Sequence, residues 1–130
     1  MATWRDFAAF VRSSYEVSSS SPDMIELIFE TDSGRSQAVH LWHRALMRGR
    51  EDWLIIESPF ASLANADLER VLKEADNLVC GGVVTDGRAL IYRHAVPLAN
   101  LDVNEFERPL ELVTLAADRL EHSISGGDVY

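Results

Sequence analysis

Residues 83–92 read Val-Val-Thr-Asp-Gly-Arg-Ala-Leu-Ile-Tyr, and this stretch predicts a β-hairpin. The pair Asp86-Gly87 is among the strongest short hairpin signals, because both residue types tolerate the positive φ angles of a two-residue turn. Apolar residues on either side predict one strand over 78–85 and another over 89–96. The hairpin therefore indicates antiparallel pairing in the C-terminal half of the chain.

Upstream of the hairpin, alternating hydrophobic residues predict a three-stranded antiparallel meander. The serine-rich stretch 18–22 in front of it has the composition of a loop, since serine side chains compete for backbone hydrogen bonds. Turn-forming residues at 31–34 and 48–50 separate the strands. The predicted strands cover residues 24–30, about 37–47, and 53–58, with the last one ending at Pro59.

Three amphipathic segments predict helices around these strands. The first helix starts with Thr3 and Asp6, which resemble a capping box, and the last starts with a capping box of Asp102 and Glu105. Pro109 lies inside the last helix, where it kinks the helix or restarts it. The middle helix takes Asn65 as its N-cap, and its predicted buried stripe consists of Leu68, Val71, Leu72 and Ala75.

Together these elements predict an α+β fold with an antiparallel five-stranded sheet in the order α-β-β-β-α-β-β-α. Three helices of this size cover about one face of the sheet, so we expect them mainly on one face. A chain of 130 residues is long enough for one core and too short for two. We therefore expect a single domain over 1–130 with a frayed tail at 125–130.

The composition excludes several classes of protein. Twenty-one Asp and Glu against twelve Lys and Arg give a net charge of −9, so we expect no nucleic-acid partner. No apolar run approaches the roughly 20 residues that cross a bilayer, so we expect no membrane anchor. The single cysteine, Cys80, excludes an intrachain disulfide and suits a reducing compartment, which favours a cytoplasmic location.

The charge is unevenly distributed along the chain. The segment 34–50 carries four arginines and no acidic residue, so it contributes +4 while the rest of the chain contributes −13. This distribution suggests an arginine-edged surface that selects an acidic or amphipathic partner.

The sequence offers no recognisable motif for catalysis, a metal ion or a cofactor. His40 and His43 are three residues apart in a strand, so their side chains point to opposite faces and cannot bind one ion. Cys80 lies in a predicted strand and is typical of a small buried hydrophobe. The neighbouring pair Gly81-Gly82 matches no phosphate-binding fingerprint and indicates a bulge or a close packing contact. We therefore expect no enzyme activity, no metal and no cofactor.

The composition of the second sheet face is the strongest remaining signal. One set of strand residues faces the helices: Ile25, Leu27, Phe29, Leu54, Ile56, Leu90 and Tyr92. The opposite face then carries a candidate partner-binding or dimer surface: Ile28, His40, Trp42, Arg44, Trp53, Ile55, Ile91 and Arg93. Two tryptophans and several isoleucines are typical of a contact surface. Two alternatives stay open, namely that a helix or loop of the same chain covers this face, or that a one-residue register slip exchanges the faces.

A family resemblance rests mainly on the C-terminal half of the chain. Residues 85–94 read Thr-Asp-Gly-Arg-Ala-Leu-Ile-Tyr-Arg-His, and they are followed by Val-Pro-Leu at 96–98, Leu-Asp at 101–102, Pro-Leu-Glu-Leu-Val at 109–113 and Ala-Asp at 117–118. Together with the element order, this pattern resembles the bacterial YbjN-like proteins and the related peptide-binding chaperones of the type III secretion class. The resemblance implies a homodimer that holds extended segments of partner proteins.

The leading hypothesis is a non-enzymatic chaperone-like or adaptor protein that binds a peptide or protein partner as a homodimer. The alternative is a small-molecule-binding or regulatory domain with a pocket between the sheet and the helices, lined by Tyr92 and Phe29. An enzyme would need His94 or Cys80 to converge with a carboxylate in a cleft.

Overall fold

Helices and strands follow the predicted order, with one additional strand. The computed structural model describes residues 1–31 and 34–126. The α-helices within these residues are α1 (Trp4–Ser14), α2 (Leu68–Ala75) and α3 (Val103–Glu121); a 3-10 turn covers Leu63–Asn65 and a π-helical turn covers His122–Gly126. The strands are β1 (Ser19–Ser21), β2 (Met24–Glu30), β3 (Ser36–Leu46), β4 (Glu51–Ser62), β5 (Gly82–Asp86) and β6 (Ala89–Pro97).

All six strands form one open antiparallel sheet with the spatial order β1-β2-β3-β4-β6-β5. The ladder between β4 and β6 joins the N-terminal meander to the C-terminal hairpin. The predicted α+β class with an antiparallel sheet is therefore confirmed. The sheet has six strands rather than the predicted five.

The additional strand, β1, lies in the serine-rich stretch that we predicted to be a loop. Ser18 donates from its main-chain N–H to the carbonyl of Glu26 at 3.0 Å, and from its hydroxyl to the Glu26 carboxylate at 2.7 Å. All three side chains of β1 are exposed. A strand that is held by hydrogen bonds and buries nothing leaves no hydrophobic pattern in the sequence, which is why the prediction missed it.

One hydrophobic cluster joins all three helices to the same face of the sheet. Phe7 of α1, Val71 of α2 and Val113 of α3 are fully buried in it. All seven strand residues predicted to face the helices belong to this cluster or pack against it: Ile25, Leu27, Phe29, Leu54, Ile56, Leu90 and Tyr92. The structure therefore confirms the prediction of which strand side chains face the helices.

Strand β5 starts at Gly82 rather than at residue 78. The preceding Gly81 has a φ of +88°, and a Cβ at this position would lie 2.7 Å from the main-chain oxygen of Arg93. No side chain fits there without a backbone shift, so this glycine marks the close approach that the pair Gly81-Gly82 indicated. Cys80 consequently lies in the loop before β5 and not in a strand.

Strand β4 continues past Pro59 to Ser62, with a bulge just after the proline. Pro59 has no N–H for a ladder bond. Side chains supply the link to β3 at this point, because Gln37 Nε2 donates to the Pro59 carbonyl at 2.8 Å and the Ser58 hydroxyl donates to the Ala38 carbonyl at 2.7 Å. The proline therefore interrupts the ladder without ending the strand.

The N-terminal end of α3 forms as predicted, whereas α1 has the predicted Thr3 cap without the reciprocal bond of a full capping box. The Thr3 hydroxyl accepts the Asp6 N–H at 3.1 Å, and Asp102 and Glu105 form a reciprocal capping box with distances of 2.8 and 3.1 Å. Helix α3 runs unbroken through Pro109, so it does not restart there. None of the helices in the described residues combines the length and the apolar content that a membrane span needs.

The prediction for α2 is partly wrong. Its N-cap is Asp67, whose carboxylate accepts a main-chain N–H at 3.2 Å, and not Asn65. Within the predicted stripe Val71 is fully buried, whereas Leu68 and Leu72 are 46% and 61% exposed. This eight-residue helix contacts the core mainly through one position. Its amphipathic pattern therefore predicts more buried residues than the helix has.

Two predictions fall partly outside the described residues. The turn predicted at 31–34 includes residues 32 and 33, and the tail predicted to be frayed at 125–130 includes residues 127–130.

Candidate partner-binding surface

All eight residues predicted for the partner-binding or dimer surface lie on the sheet face opposite the helices. We call this surface the open face, and its residues are Ile28, His40, Trp42, Arg44, Trp53, Ile55, Ile91 and Arg93. Cross-strand pairs establish the register, since Trp42 lies opposite Ile55 and Arg44 lies opposite Trp53. The one-residue slip that would exchange the two faces does not occur.

Exposure on the open face is greatest on the strands of the meander. Ile28 on β2 is 53% exposed and Trp42 on β3 is 39% exposed. Ile55 and Ile91, on β4 and β6, are 7% and 5% exposed although they lie outside the main core cluster. The buried apolar residues of all three helices belong to that cluster on the other face. Within the described residues, Ile28 and Trp42 therefore keep part of their surface uncovered by the rest of the chain.

Charged side chains on the open face pair with one another. Arg93 reaches the Glu57 carboxylate across the β4–β6 ladder at 2.6 and 2.7 Å, and His40 Nε2 lies 2.8 Å from Glu26 Oε2. Hydrogen bonds from Ser18 and with His40 lower the pKa of Glu26 below its usual value. The Arg93–Glu57 ion pair neutralises two charges beside the apolar residues, which lowers the cost of burying this part of the face in a contact.

The two histidines of the predicted pair point to opposite sides of the sheet, as expected. His43 lies on the helix side, where its Nε2 is 2.8 Å from Asp52, its Nδ1 is 3.1 Å from Asp23, and its ring stacks on Trp4. Burial of the ring opposes protonation, yet the hydrogen bonds to Asp52 and Asp23 raise the pKa of His43. The carboxylates meet opposite edges of the ring, so they cannot converge with it on one ion. In the part of the chain that the structure describes, no group of three metal-ligating side chains is arranged to hold a metal.

Among the described residues, no group of His, Cys, Asp and Glu side chains that could hold a metal includes His94 or Cys80. Burial lowers the pKa of His94 and raises the pKa of the Cys80 thiol. A raised thiol pKa keeps the cysteine protonated and poorly nucleophilic. These two side chains therefore show the environment of partly buried structural groups.

A cavity of about 410 Å³ lies between the end of β2 and α3. The residues that line it are Tyr15, Phe29, Glu30, Thr31, Glu107, Leu110, Glu111, Thr114 and Leu115. We call this cavity the groove. Phe29 lines it, as the small-molecule alternative expected, whereas Tyr92 lies elsewhere, against Gly81.

The sequence prediction did not identify the helical wall of the groove. The available signal was the pair Glu107 and Glu111, which lie one turn apart on α3, together with the apolar Leu115 one turn further on. Glutamates one turn apart on an amphipathic helix usually lie on its solvent-exposed side, so this pair alone does not indicate a groove. Only the approach of Phe29 and Tyr15 from other elements makes the surface concave.

The fold defines a small α+β protein in which three helices pack on one face of an antiparallel sheet and the opposite face carries partly exposed Ile28 and Trp42. No protein-family model, curated protein sequence or solved structure matches the chain.

Proposed function

We propose that the chain is a non-enzymatic, chaperone-like adaptor that forms a homodimer through its open face and binds a peptide or protein partner. The main support is the exposure of Ile28 and Trp42 on a sheet face without helices. The resemblance to YbjN-like proteins and type III secretion chaperones points in the same direction. A cytoplasmic location is part of the proposal, since the lone Cys80 suits a reducing compartment.

The free energy available on the open face is appreciable. Burying a large apolar side chain contributes about 1.5–3 kcal/mol relative to full exposure. Trp42 and Ile28 are only part-exposed, so each retains a fraction of this amount for an intermolecular contact. Ion pairing of Arg93 with Glu57 lowers the desolvation cost of the surrounding surface, because both charges already have a partner.

The size of the open face fits a specific dimer. Six strands spaced about 4.8 Å apart give a width of about 24 Å, and a seven-residue strand such as β2 is about 23 Å long. Two such faces in contact bury on the order of 1,100 Å² in projection, which is close to the lower end of specific interfaces. The geometry therefore supports a reversible dimer more than an obligate one.

A second copy of the chain is the occupant that the charges favour. The whole chain carries −9, so two molecules repel each other over most of their surface. The centre of the open face differs, because it carries Arg44 and Arg93 beside Glu26 and Glu57, and Arg93 forms an ion pair with Glu57; Glu30 and Glu51 lie at the ends of their strands. A two-fold contact brings the same patch together with itself, so a patch whose glutamates are matched in number by arginines is the one on which two acidic molecules can meet.

Sedimentation equilibrium over a wide concentration range tests the dimer. We expect the wild-type chain to pass from monomer to dimer and the Trp42→Glu variant to stay monomeric. Leu72→Glu is the matched control, because it places the same charge on an exposed leucine of α2, on the helix side. A wild-type chain that is monomeric at every concentration would overturn the dimer, and so would equal dimerisation of wild type and Trp42→Glu.

Partner binding is tested by affinity capture from the source cells followed by mass spectrometry. A protein that is recovered reproducibly with the wild-type chain, and that binds again as a purified protein, supports the adaptor. Recovery of a bound metabolite and of no protein would replace the adaptor with the small-molecule-binding alternative.

A further inference from the structure

The floor of the groove is apolar and has no free hydrogen-bonding hydroxyl at its helical wall. Tyr15 and Phe29 pack edge to face with ring centroids 6.4 Å apart, and Leu115 on α3 is 49% exposed. The Thr114 hydroxyl donates to the Leu110 carbonyl at 2.7 Å, so it is already used within the helix. An occupant of this floor is therefore held by burial of an apolar side chain.

The rim of the groove is acidic. Among the described residues, its lining contains three glutamates, Glu30, Glu107 and Glu111, and no lysine or arginine. Glu107 accepts a hydrogen bond from the Tyr15 hydroxyl at 2.7 Å, which fixes its carboxylate at the edge of the apolar floor. Arg108 lies 3.4 Å from Glu111, but both side chains are largely exposed, so this pair is weak. The rim consequently favours a cation.

The edge of β2 beside the groove has main-chain groups that no described strand pairs with. The Glu26 carbonyl accepts the Ser18 N–H, so the main chain of Glu26 points outward to β1. Main-chain direction alternates along a strand, so Ile28 and Glu30 also point outward. Pairing with β1 stops at Glu26, which leaves the outer edge of 27–30 available within the described residues.

We propose that the groove and the adjoining edge of β2 bind an extended peptide segment that carries both apolar and basic side chains. The proposal specifies the chemistry of the partner, and it rests on the proposed function because it takes the chain to be a binder of peptides or proteins. Main-chain groups of Ile28 and Glu30 pair with the peptide, as in recognition by strand addition. An apolar side chain enters the floor beside Phe29, and a lysine or arginine faces Glu107 and Glu111. A small amine contacts only the rim and the floor, whereas a peptide also pairs with the main-chain groups of the strand edge. The edge therefore favours a peptide.

Fluorescence anisotropy with a labelled peptide Lys-Leu-Lys-Val-Lys-Leu-Lys tests this site. We expect saturable binding that weakens as salt is raised, because the rim contacts are exposed. The peptide with glutamate at every lysine position should not bind. The double variant Glu107→Gln with Glu111→Gln should weaken binding of the lysine peptide about tenfold, in line with the loss of two charge contacts. Both carboxylates are exposed, so this variant keeps the fold.

The matched control is Glu69→Gln with Asp76→Asn, which removes two exposed carboxylates from α2 and from the residue after it. Unchanged binding in this control assigns the effect to the groove. Equal weakening in both double variants would show attraction to net charge alone and would overturn the proposal. N-methylation of alternate peptide amides should abolish binding, and equal binding of the methylated peptide or equal competition by butylammonium would also overturn it.

The dimer assay separates failure of this site from failure of the proposed function. Trp42→Glu should leave peptide binding unchanged, because its side chain lies on the open face and the groove lies on the helix side. Loss of binding in Trp42→Glu with none in Glu107→Gln/Glu111→Gln would place the peptide on the open face and overturn the groove while retaining the adaptor. No binding of the lysine peptide to a wild-type dimer would overturn the groove site and leave the dimer standing.

Discussion

Gln37 and Ser58 form a buried hydrogen bond at the point where the β3–β4 ladder meets the bulge, with 2.8 Å between Gln37 Nε2 and Ser58 Oγ. The Ser58 hydroxyl in turn donates a hydrogen bond to the Ala38 carbonyl at 2.7 Å, and Gln37 Nε2 also donates to the Pro59 carbonyl. Both of these side chains are buried. They connect the two central strands of the sheet where a proline removes a backbone donor.

We predict that Ser58→Ala lowers the free energy of unfolding by about 2 kcal/mol, because it leaves the Ala38 carbonyl without this donor and removes one acceptor of Gln37. Urea denaturation followed by tryptophan fluorescence measures the change. Ser62→Ala at the exposed end of β4 is the control and should change the midpoint very little. Equal midpoints for Ser58→Ala and the wild type would show that the side-chain network does not stabilise the bulge.

Gly81 and Gly82 provide a second test in which neighbouring glycines should behave differently. At Gly81 an added Cβ would lie 2.7 Å from the Arg93 oxygen and 2.8 Å from Tyr92 Cε1, at a φ of +88°. We predict that Gly81→Ala destabilises the protein by about 2 kcal/mol or more, since a left-handed conformation alone costs about 1–2 kcal/mol. At Gly82 nothing lies within 4 Å, and alanine there should be neutral or slightly stabilising. Thermal unfolding of the two variants compares them, and equal melting temperatures would contradict the close contact.

The elements with strong local chemistry were predictable from the sequence. Asp86-Gly87 placed the hairpin, and Asp102 with Glu105 placed the start of α3. Alternation over β2 identified which side chains face the helices, and it therefore also identified the composition of the open face. Local signals of this kind act within a few residues, so one sequence is enough to detect them.

The missed features depend on contacts between distant parts of the chain. Strand β1 is held by hydrogen bonds to β2 and buries none of its side chains. The strand β4 extends beyond Pro59 because the Ser58 hydroxyl donates to the Ala38 carbonyl in place of the missing proline N–H, and Gln37 donates to the Pro59 carbonyl. The groove exists because Tyr15 and Glu107, which are 92 positions apart in sequence, meet at 2.7 Å. The hydrophobic periodicity of the sequence gives no information about contacts between residues that are so far apart in the chain.

The pKa of His43 predicts how stability depends on pH. Burial opposes protonation of its ring, but hydrogen bonds to Asp52 and Asp23 raise the pKa in the folded chain above the ordinary value. The stabilisation from protonated His43 is therefore complete below the unfolded pKa of about 6.5 and is lost as the pH rises through the folded pKa. Urea midpoints should show this loss in the wild type, and His43→Gln should remove it.

Nuclear magnetic resonance titration of the ring protons provides an internal comparison for this pH dependence. His43 should titrate above about pH 6.5, whereas burial lowers the pKa of His94, so His94 should titrate below that value. The two histidines thus report opposite environments in one sample. A His43 midpoint below that of His94 would contradict the contacts with Asp52 and Asp23.

In the turn between β3 and β4, two substitutions should change the free energy of unfolding in opposite directions. Met47, Arg48 and Gly49 have φ angles of 54°, 58° and 83°, although only glycine adopts such angles without strain. Asparagine tolerates this region and is favoured in hairpin turns, so we predict that Arg48→Asn raises the free energy of unfolding by about 0.5 kcal/mol. Gly49→Ala should lower it by about 1 kcal/mol, and because a Cβ there meets nothing within 4 Å, backbone conformation alone causes the loss. Urea denaturation of both variants decides the question, since a change of the same sign in both would mean that strain in this turn does not limit stability.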